Sequence, residues 1–203
     1  MKHNIFNLNV RTMVITALMS AIAFALMFIH FSIPIFPSFL KFDVADIPAM
    51  ITAFTISPVA GVLVVLIKNV LHFILPSLST PTGGVGELSN FLINGTFVLT
   101  AGIIYKYLKT KKGVLISVIS ALLVMCVTAA FVNYFIILPF YSNLMPMEKI
   151  ISMSQKAVPF INNKMDIVLY GVVPFNLFKG IVISVITVLL YDKLTPLING
   201  KYN

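Results

Sequence analysis

Four long apolar runs constrain the fold more than any other feature of this chain. They cover about residues 11–31, 86–108, 113–140 and 166–193. Each run is long enough to cross about 30 Å of hydrocarbon at about 1.5 Å per helical residue. Because every backbone polar group must be satisfied inside a bilayer, spanning segments of this kind are helices. The runs therefore predict an all-α, polytopic membrane protein.

Composition agrees with a membrane protein and argues against a nucleic-acid binder. Of 203 residues, 59% are hydrophobic and 10% are charged, and the mean hydropathy is +1.03, whereas about a quarter of the residues of a soluble domain are charged. The net charge of +8 comes from basic residues scattered at the ends of apolar runs. Since they form no solvated basic patch, we interpret them as topology signals rather than as a nucleic-acid site.

The interval 47–75 allows two interpretations. It is either one long tilted helix or a short helix 47–56 followed by a second helix 59–75. Ser57 followed by Pro58 is a favourable N-cap and first-turn pair, which supports a new helix start at this point.

The positions of the basic residues favour six helices with both termini in the cytoplasm. In that arrangement eight basic residues lie inside and four outside, as positive charge prefers the cytoplasmic side. Five spans would instead place the basic segment YKYLKTKKG outside and remove the bias. Helix 47–56 is too short to span alone and must lean on the adjoining loop. Since no repeat or soluble domain is evident, we predict a single domain over residues 1–203.

The sequence lacks the usual signatures of catalysis and of ATP hydrolysis. There is no GxxxxGK[ST] phosphate loop, and GGVGEL at 83–88 has no strand-to-helix setting. His3, His30 and His72 are far apart and have no metal-ligand spacing. We therefore expect a binding or transport protein with no catalytic residues, no metal site and no cofactor.

Polar residues inside the last apolar run are the first candidates for a binding site. Asn176 and Lys179 are three residues apart and share a helix face, and Pro174 removes a backbone hydrogen bond just before them. Asn133 lies near the outer end of the fifth helix. The alternative is that the asparagines join neighbouring helices and that Lys179 snorkels. However, Lys179 stands about 13 residues from the start of its helix, so the three residues favour a ligand site.

A second intramembrane pair, Lys68 and Asn69, is interpreted differently. Both lie near the end of the third helix in LIKNVLHFIL. Here we expect Lys68 to snorkel towards the outer headgroups, with a ligand role as the minor alternative.

Two outer loops are expected to close over the site. FPSFLKFDVADIP (36–48) and LPSLSTPTGGVGELSNF (75–91) are rich in Pro, Gly and hydroxyl groups, which suits a lid that offers hydrogen bonds. Alternatively, Asp46 is a helix N-cap and Glu87 a favourable charge in a first helical turn.

The first helix carries a strip of small residues. Ala17, Ala21 and Ala25 recur every four residues and form a smooth face that another helix can approach closely. This alanine strip is suited to docking, either within the bundle or onto a partner protein.

Several segments together resemble the riboflavin-specific S components (the RibU family) of energy-coupling-factor transporters. The similarity covers nearly the whole chain, and the segments that carry it are FPSFLKFDVADIPAM, PVAGVLVVLIKNVLHF, TGGVGELSNFL, AGIIYKYLKTKKG and PFNLFKG.

The resemblance implies a six-helix substrate-binding subunit of a bacterial plasma membrane that captures riboflavin from outside. It further implies that the alanine strip docks on a membrane coupling subunit (EcfT), which works with two cytoplasmic ATPases (EcfA and EcfA'). The flavin ring would contact Asn133, Asn176 and Lys179. The ribityl chain or the lid would involve Asp43, Thr82, Gly83 and Glu87, and Phe39 and Leu40 of the first loop are further candidates for the pocket. The alternatives are an S component for another vitamin and a partner-free permease.

Overall fold

Apolar helices dominate the structure, which is a computed structural model that describes residues 10–75 and 83–199. In chain order the elements are α1 (Val10–Met27), β1 (Phe31–Ser32), β2 (Lys41–Phe42), α2 (Ile47–Thr55), α3 (Pro58–Ile74), α4 (Val85–Leu108), α5 (Lys111–Val132), α6 (Leu138–Leu144), α7 (Met147–Gln155), α8 (Lys164–Asp166) and α9 (Val173–Asn199). Two π-helical turns, Asn133–Ile137 and Ile167–Val172, join α5 to α6 and α8 to α9.

Four helices of the described chain are long and apolar enough to cross a membrane. They are Val10–Met27, Val85–Leu108, Lys112–Leu144 and Lys164–Tyr191. Side chains on their outer faces are large and apolar: Val127 of α5 is 71% exposed and Leu123 is 66% exposed. Exposed apolar stripes of this kind are stable against lipid and unstable against water.

The interval 47–75 is broken into two helices at Ser57, as predicted. The hydroxyl of Ser57 accepts a hydrogen bond of 3.1 Å from the N–H of Ala60, and Pro58 occupies the first helical position. Close packing fixes the resulting corner, because a Cβ on Gly61 would lie 2.6 Å from the Cβ of Ala53.

The segment between α1 and α2 is more ordered than the expected loop. Helix α1 ends at Met27 instead of 31, and the chain then forms a short antiparallel hairpin that pairs Phe31 with Phe42. Phe36 and Phe42 pack with Phe175 of α9 in a small hydrophobic cluster. The all-α prediction therefore misses a small sheet, and the cluster fastens this segment to α9.

Two further features differ from the sequence-based expectation. Helix α7 lies in a region expected to be a loop. When α5 with α6 and α8 with α9 are each counted as one continuous helix, the described chain contains seven helices, one more than the six predicted. Each π-helical turn ends two residues before a proline, Pro139 or Pro174. Proline has no N–H and its ring clashes with the carbonyl four residues earlier, and a wider turn accommodates both effects.

Candidate ligand-binding cavity

A cavity of about 500 Å³ lies among the helices, and the segment before α2 forms part of its wall. Its lining includes seven of the nine residues selected from the sequence as substrate contacts: Phe39, Leu40, Asp43, Glu87, Asn133, Asn176 and Lys179. Gly83 is exposed and does not line the cavity, and Thr82 lies outside the described residues.

Asn133 and Asn176 present amide groups to the cavity from two different helices. Each is buried, and each donates one N–H bond of 2.9 Å to the backbone carbonyl four residues earlier, at Ala129 and Val172. These bonds fix the orientation of both side chains. Within the described chain no hydrogen bond reaches either side-chain oxygen, so each amide retains an acceptor and a second N–H for a ligand.

Lys179 joins an ion cluster at the cavity wall. Its Nζ lies 2.8 Å from Oδ2 of Asp43 and 3.3 Å from Oδ2 of Asp46. Asp46 also accepts a hydrogen bond of 2.6 Å from Nζ of Lys68. We refer to Asp43, Asp46, Lys68 and Lys179 as the buried ion quartet.

The buried ion quartet changes two sequence-based interpretations. Lys68 is 0% exposed and paired with Asp46, so its predicted snorkelling towards the headgroups is wrong. Asp46 occupies the N-cap position of α2, as one alternative had it, but its side chain makes no capping hydrogen bond and is used in the quartet instead. Both side chains are used in the quartet because an unpaired charge is costly in a dry interior.

A turn at residues 45–46 separates Asp43 from Asp46, the two carboxylates of the quartet. Oδ1 of Asp43 accepts a hydrogen bond of 3.0 Å from the N–H of Ala45. Burial of the Asp43 carboxyl acts to raise its pKa, but the charges of Lys179 and Lys68, with the hydrogen bonds from Lys179 and Ala45, outweigh burial. The pKa therefore lies below its ordinary 3.8, and the group is ionised at neutral pH.

A second polar group lies on α3 and α4. Glu87 is in the first turn of α4, as predicted, yet it is buried and its Oε1 lies 2.8 Å from Nδ1 of His72. Oε2 of Glu87 and Oδ1 of Asn94 are buried and have no hydrogen-bond partner among the described residues. Both residues line the cavity, together with His72 and Asn90. Buried oxygens without a donor are costly, so a ligand with hydroxyl groups would satisfy them.

The remaining walls are largely apolar. Phe39 and Tyr141 meet edge to face with ring centroids 6.4 Å apart, and Ile137 and Phe175 also line the cavity. Helix α7 contributes Ile150 and Met153. These walls offer flat apolar surface beside the fixed polar groups, the usual composition of a small-molecule site.

Sequence reasoning missed several of these lining residues. Asn90 and Asn94 are four apart within the predicted helix 86–108, a pattern that places two amides on one face and could have been found. Tyr141 and the residues of α7 were missed because they lie where a loop was expected, although the sequence of α7 is amphipathic. Among the described residues no group of three or more His, Cys, Asp or Glu side chains could hold a metal ion.

The alanine strip faces away from the rest of the described chain. Ala17, Ala21 and Ala25 are exposed, whereas Ser20 and Ala23 of the same helix are buried against the bundle. No described residue therefore covers this face of α1.

Comparison with known proteins identifies the family. Residues 11–191 match the family model described as "ECF transporter, substrate-specific component". The chain belongs to the substrate-specific components of ECF transporters. A substrate-specific component of a transporter is expected to have a binding cavity and no phosphate loop of its own. The family consists of transporter components and not of enzymes.

Individual relatives are similar over most of the chain. A protein of Staphylococcus aureus (strain TCH60) named "Riboflavin transporter RibU" is 38% identical, over 91% of this chain and 90% of its own length. A protein of Bacillus subtilis (strain 168) named "Riboflavin transporter FmnP" is 34% identical, over 96% and 97%. A solved structure described as "Structure and mechanism of the S component of a bacterial ECF transporter" superposes with a TM-score of 0.71 at 35% identity, covering 92% of this chain and 96% of that one.

Proposed function

We propose that this S component binds riboflavin in the cavity and delivers it for uptake. The observation that carries the proposal is the set of fixed polar groups at Asn133, Asn176 and Lys179 on the cavity wall. The pyrimidine edge of an isoalloxazine ring presents carbonyl acceptors around an N–H donor. An amide with a free acceptor and a free N–H matches that edge, and an ammonium can donate to a carbonyl.

The rest of the cavity suits the rest of the vitamin. A volume of about 500 Å³ falls in the usual range of roughly 300–1,000 Å³ for small-molecule sites. Phe39, Leu40 and Tyr141 supply apolar surface for the flat ring. The hydroxyls of a ribityl chain can donate to the unpaired oxygens of Glu87 and Asn94. The names of the two bacterial relatives support the same ligand.

For the membrane arrangement we propose six hydrophobic helices with both termini in the cytoplasm of a bacterial cell. Helices α1, α2, α3, α4 and the two long helices that contain the π-helical turns would be the six, and α7 would lie at the outer surface. Helix α2 has nine residues, about 14 Å at the usual rise, and cannot cross the bilayer alone. The distribution of basic residues supports this orientation.

For energy we propose that the chain relies on partner proteins. The sequence has no phosphate loop, and the exposed alanine strip offers a face that another helix can approach closely. The partners would be the membrane coupling subunit and two cytoplasmic ATPases.

Uptake of labelled riboflavin by a bacterial strain that lacks its own riboflavin transporter tests this function. The chain should support uptake when the coupling subunit and both ATPases are co-expressed, and a Walker-lysine variant of the ATPases should abolish it. Uptake without any partner would favour a permease, and uptake of another vitamin in place of riboflavin would contradict the ligand assignment.

A further inference from the structure

The buried ion quartet lies partly in the cavity wall and partly behind it. Asp43 and Lys179 line the cavity. Asp46 and Lys68 are 0% exposed and are absent from the lining. Neither Asp46 nor Lys68 can therefore contact a ligand in the cavity directly.

The quartet joins three separate parts of the fold. Lys68 lies in α3 and Lys179 in α9, and both aspartates lie in the segment between β2 and α2. Charges alternate along the row Lys68, Asp46, Lys179, Asp43, with separations of 2.6, 3.3 and 2.8 Å. Two positive and two negative charges leave the quartet neutral, as a buried cluster requires.

Asp46 links Lys68 to the ion pair formed by Lys179 and Asp43. One of its oxygens accepts from Lys68, and the other lies 3.3 Å from the ammonium of Lys179. An ammonium has three donors. Asp43 accepts one of them in a hydrogen bond of 2.8 Å, whereas Oδ2 of Asp46 lies 3.3 Å away as an ion-pair partner and has no hydrogen bond among the described residues. This arrangement leaves N–H groups of Lys179 for a group in the cavity.

We propose that Asp46 and Lys68 are positioning residues that hold the ammonium of Lys179 in the orientation a ligand requires. The inference rests on the proposed function, in which Lys179 donates to the flavin ring. Lys68 neutralises Asp46, so Asp46 can attract the ammonium of Lys179 from a second side without giving the site a net negative charge. Without Lys68, two carboxylates would compete for one ammonium and draw it towards Asp46, away from the ligand.

The first test compares Lys68→Met with the wild type by titration of the purified protein with riboflavin. We expect affinity to fall about tenfold. An unchanged dissociation constant in a folded Lys68→Met protein would overturn the proposal.

A matched pair of double variants tests the proposal without an unbalanced charge. Asp46→Asn with Lys68→Met and Asp46→Leu with Lys68→Met are both neutral, and residue 46 has a similar size in each. Only asparagine offers Lys179 an oxygen. The asparagine variant should bind riboflavin within about threefold of the wild type, and the leucine variant about tenfold more weakly. Equal affinities would overturn the proposal, even if Lys68→Met alone fails to fold.

A purely structural role is separated by repeating the pair without Lys179. In an Asp43→Asn, Lys179→Met background there is no ammonium to position, so the asparagine and leucine variants should bind riboflavin equally. A difference of the same size in this background would overturn the positioning role. Failure of the wild-type protein to bind riboflavin would instead reject the proposed function, so the two failures are distinguishable.

Discussion

Replacing Asn176 with leucine is the sharpest perturbation of the cavity. Asn176 is 6% exposed, lines the cavity and is held in place by its 2.9 Å bond to the carbonyl of Val172. Leucine has a similar size, so the substitution removes the polar groups with little change in shape. A flavin bound beside Leu would leave its own polar atoms buried without partners.

The expected loss follows from the cost of an unsatisfied polar group. That cost is about 1–3 kcal/mol, which corresponds to roughly a tenfold to hundredfold loss of affinity for riboflavin. Isothermal titration or quenching of riboflavin fluorescence measures it directly. Asn133→Leu should behave in the same way, because its amide has the same bonds and the same free groups.

Asn176→Leu also removes a side-chain bond to the helix backbone, so a control is needed. Ser184 lies on the same helix, bonds to the carbonyl of Gly180 at 2.6 Å and does not line the cavity. Ser184→Ala should therefore change thermal stability slightly and leave riboflavin affinity unchanged. Unchanged affinity in both asparagine variants would remove these residues from the binding site.

Three other variants test the alanine strip, the packing between α2 and α3, and the charge of Asp43. Ala17→Trp with Ala21→Trp should preserve riboflavin binding but abolish co-purification with the coupling subunit, since both sites are exposed; loss of binding and stability together would identify a core seam instead. Gly61→Val should lower the free energy of unfolding by about 1–3 kcal/mol, because its Cβ would meet that of Ala53, and an unchanged melting temperature would refute the packing. The lowered pKa of Asp43 means that its contribution to stability is present above about pH 4 and is lost as pH falls through the lowered pKa. The difference in melting temperature between the wild type and Asp43→Asn should therefore be constant from pH 5 to 7 and shrink below pH 4, and a constant difference down to pH 3 would contradict it.

Much of the site was visible in the sequence because the membrane makes polar residues conspicuous. Asn133, Asn176 and Lys179 interrupt apolar runs, and hydrocarbon leaves such groups few partners outside the protein. The helix break at Ser57 was visible for a local reason, the pairing of a cap residue with a proline.

The ion quartet was missed because its pairing is not local. The bond between Lys179 and Asp43 joins residues 136 positions apart, and no helical periodicity encodes such a contact. Lys68 lies near the end of its own helix, which favours snorkelling, but this position gives no information about a partner elsewhere in the chain. The chain has only six acidic residues, so a search for a partner for each buried lysine would have pointed to Asp43 and Asp46.

Helix α7 and the π-helical turns were missed for a different reason. Residues 147–155 are mixed in polarity, so their helix is stabilised by packing over the cavity rather than by a long apolar pattern. The π-helical turns depend on how a proline is accommodated within a long helix. A proline in the sequence predicts that the helix is disturbed, but it does not show whether the helix kinks, breaks or forms a π-helical turn.

Equilibrium titration of the purified chain with riboflavin shows whether the cavity binds this vitamin. We expect saturable quenching of riboflavin fluorescence with one site per chain and no competition from thiamine or biotin. Unchanged riboflavin fluorescence, in a folded preparation that binds thiamine or biotin, would contradict it.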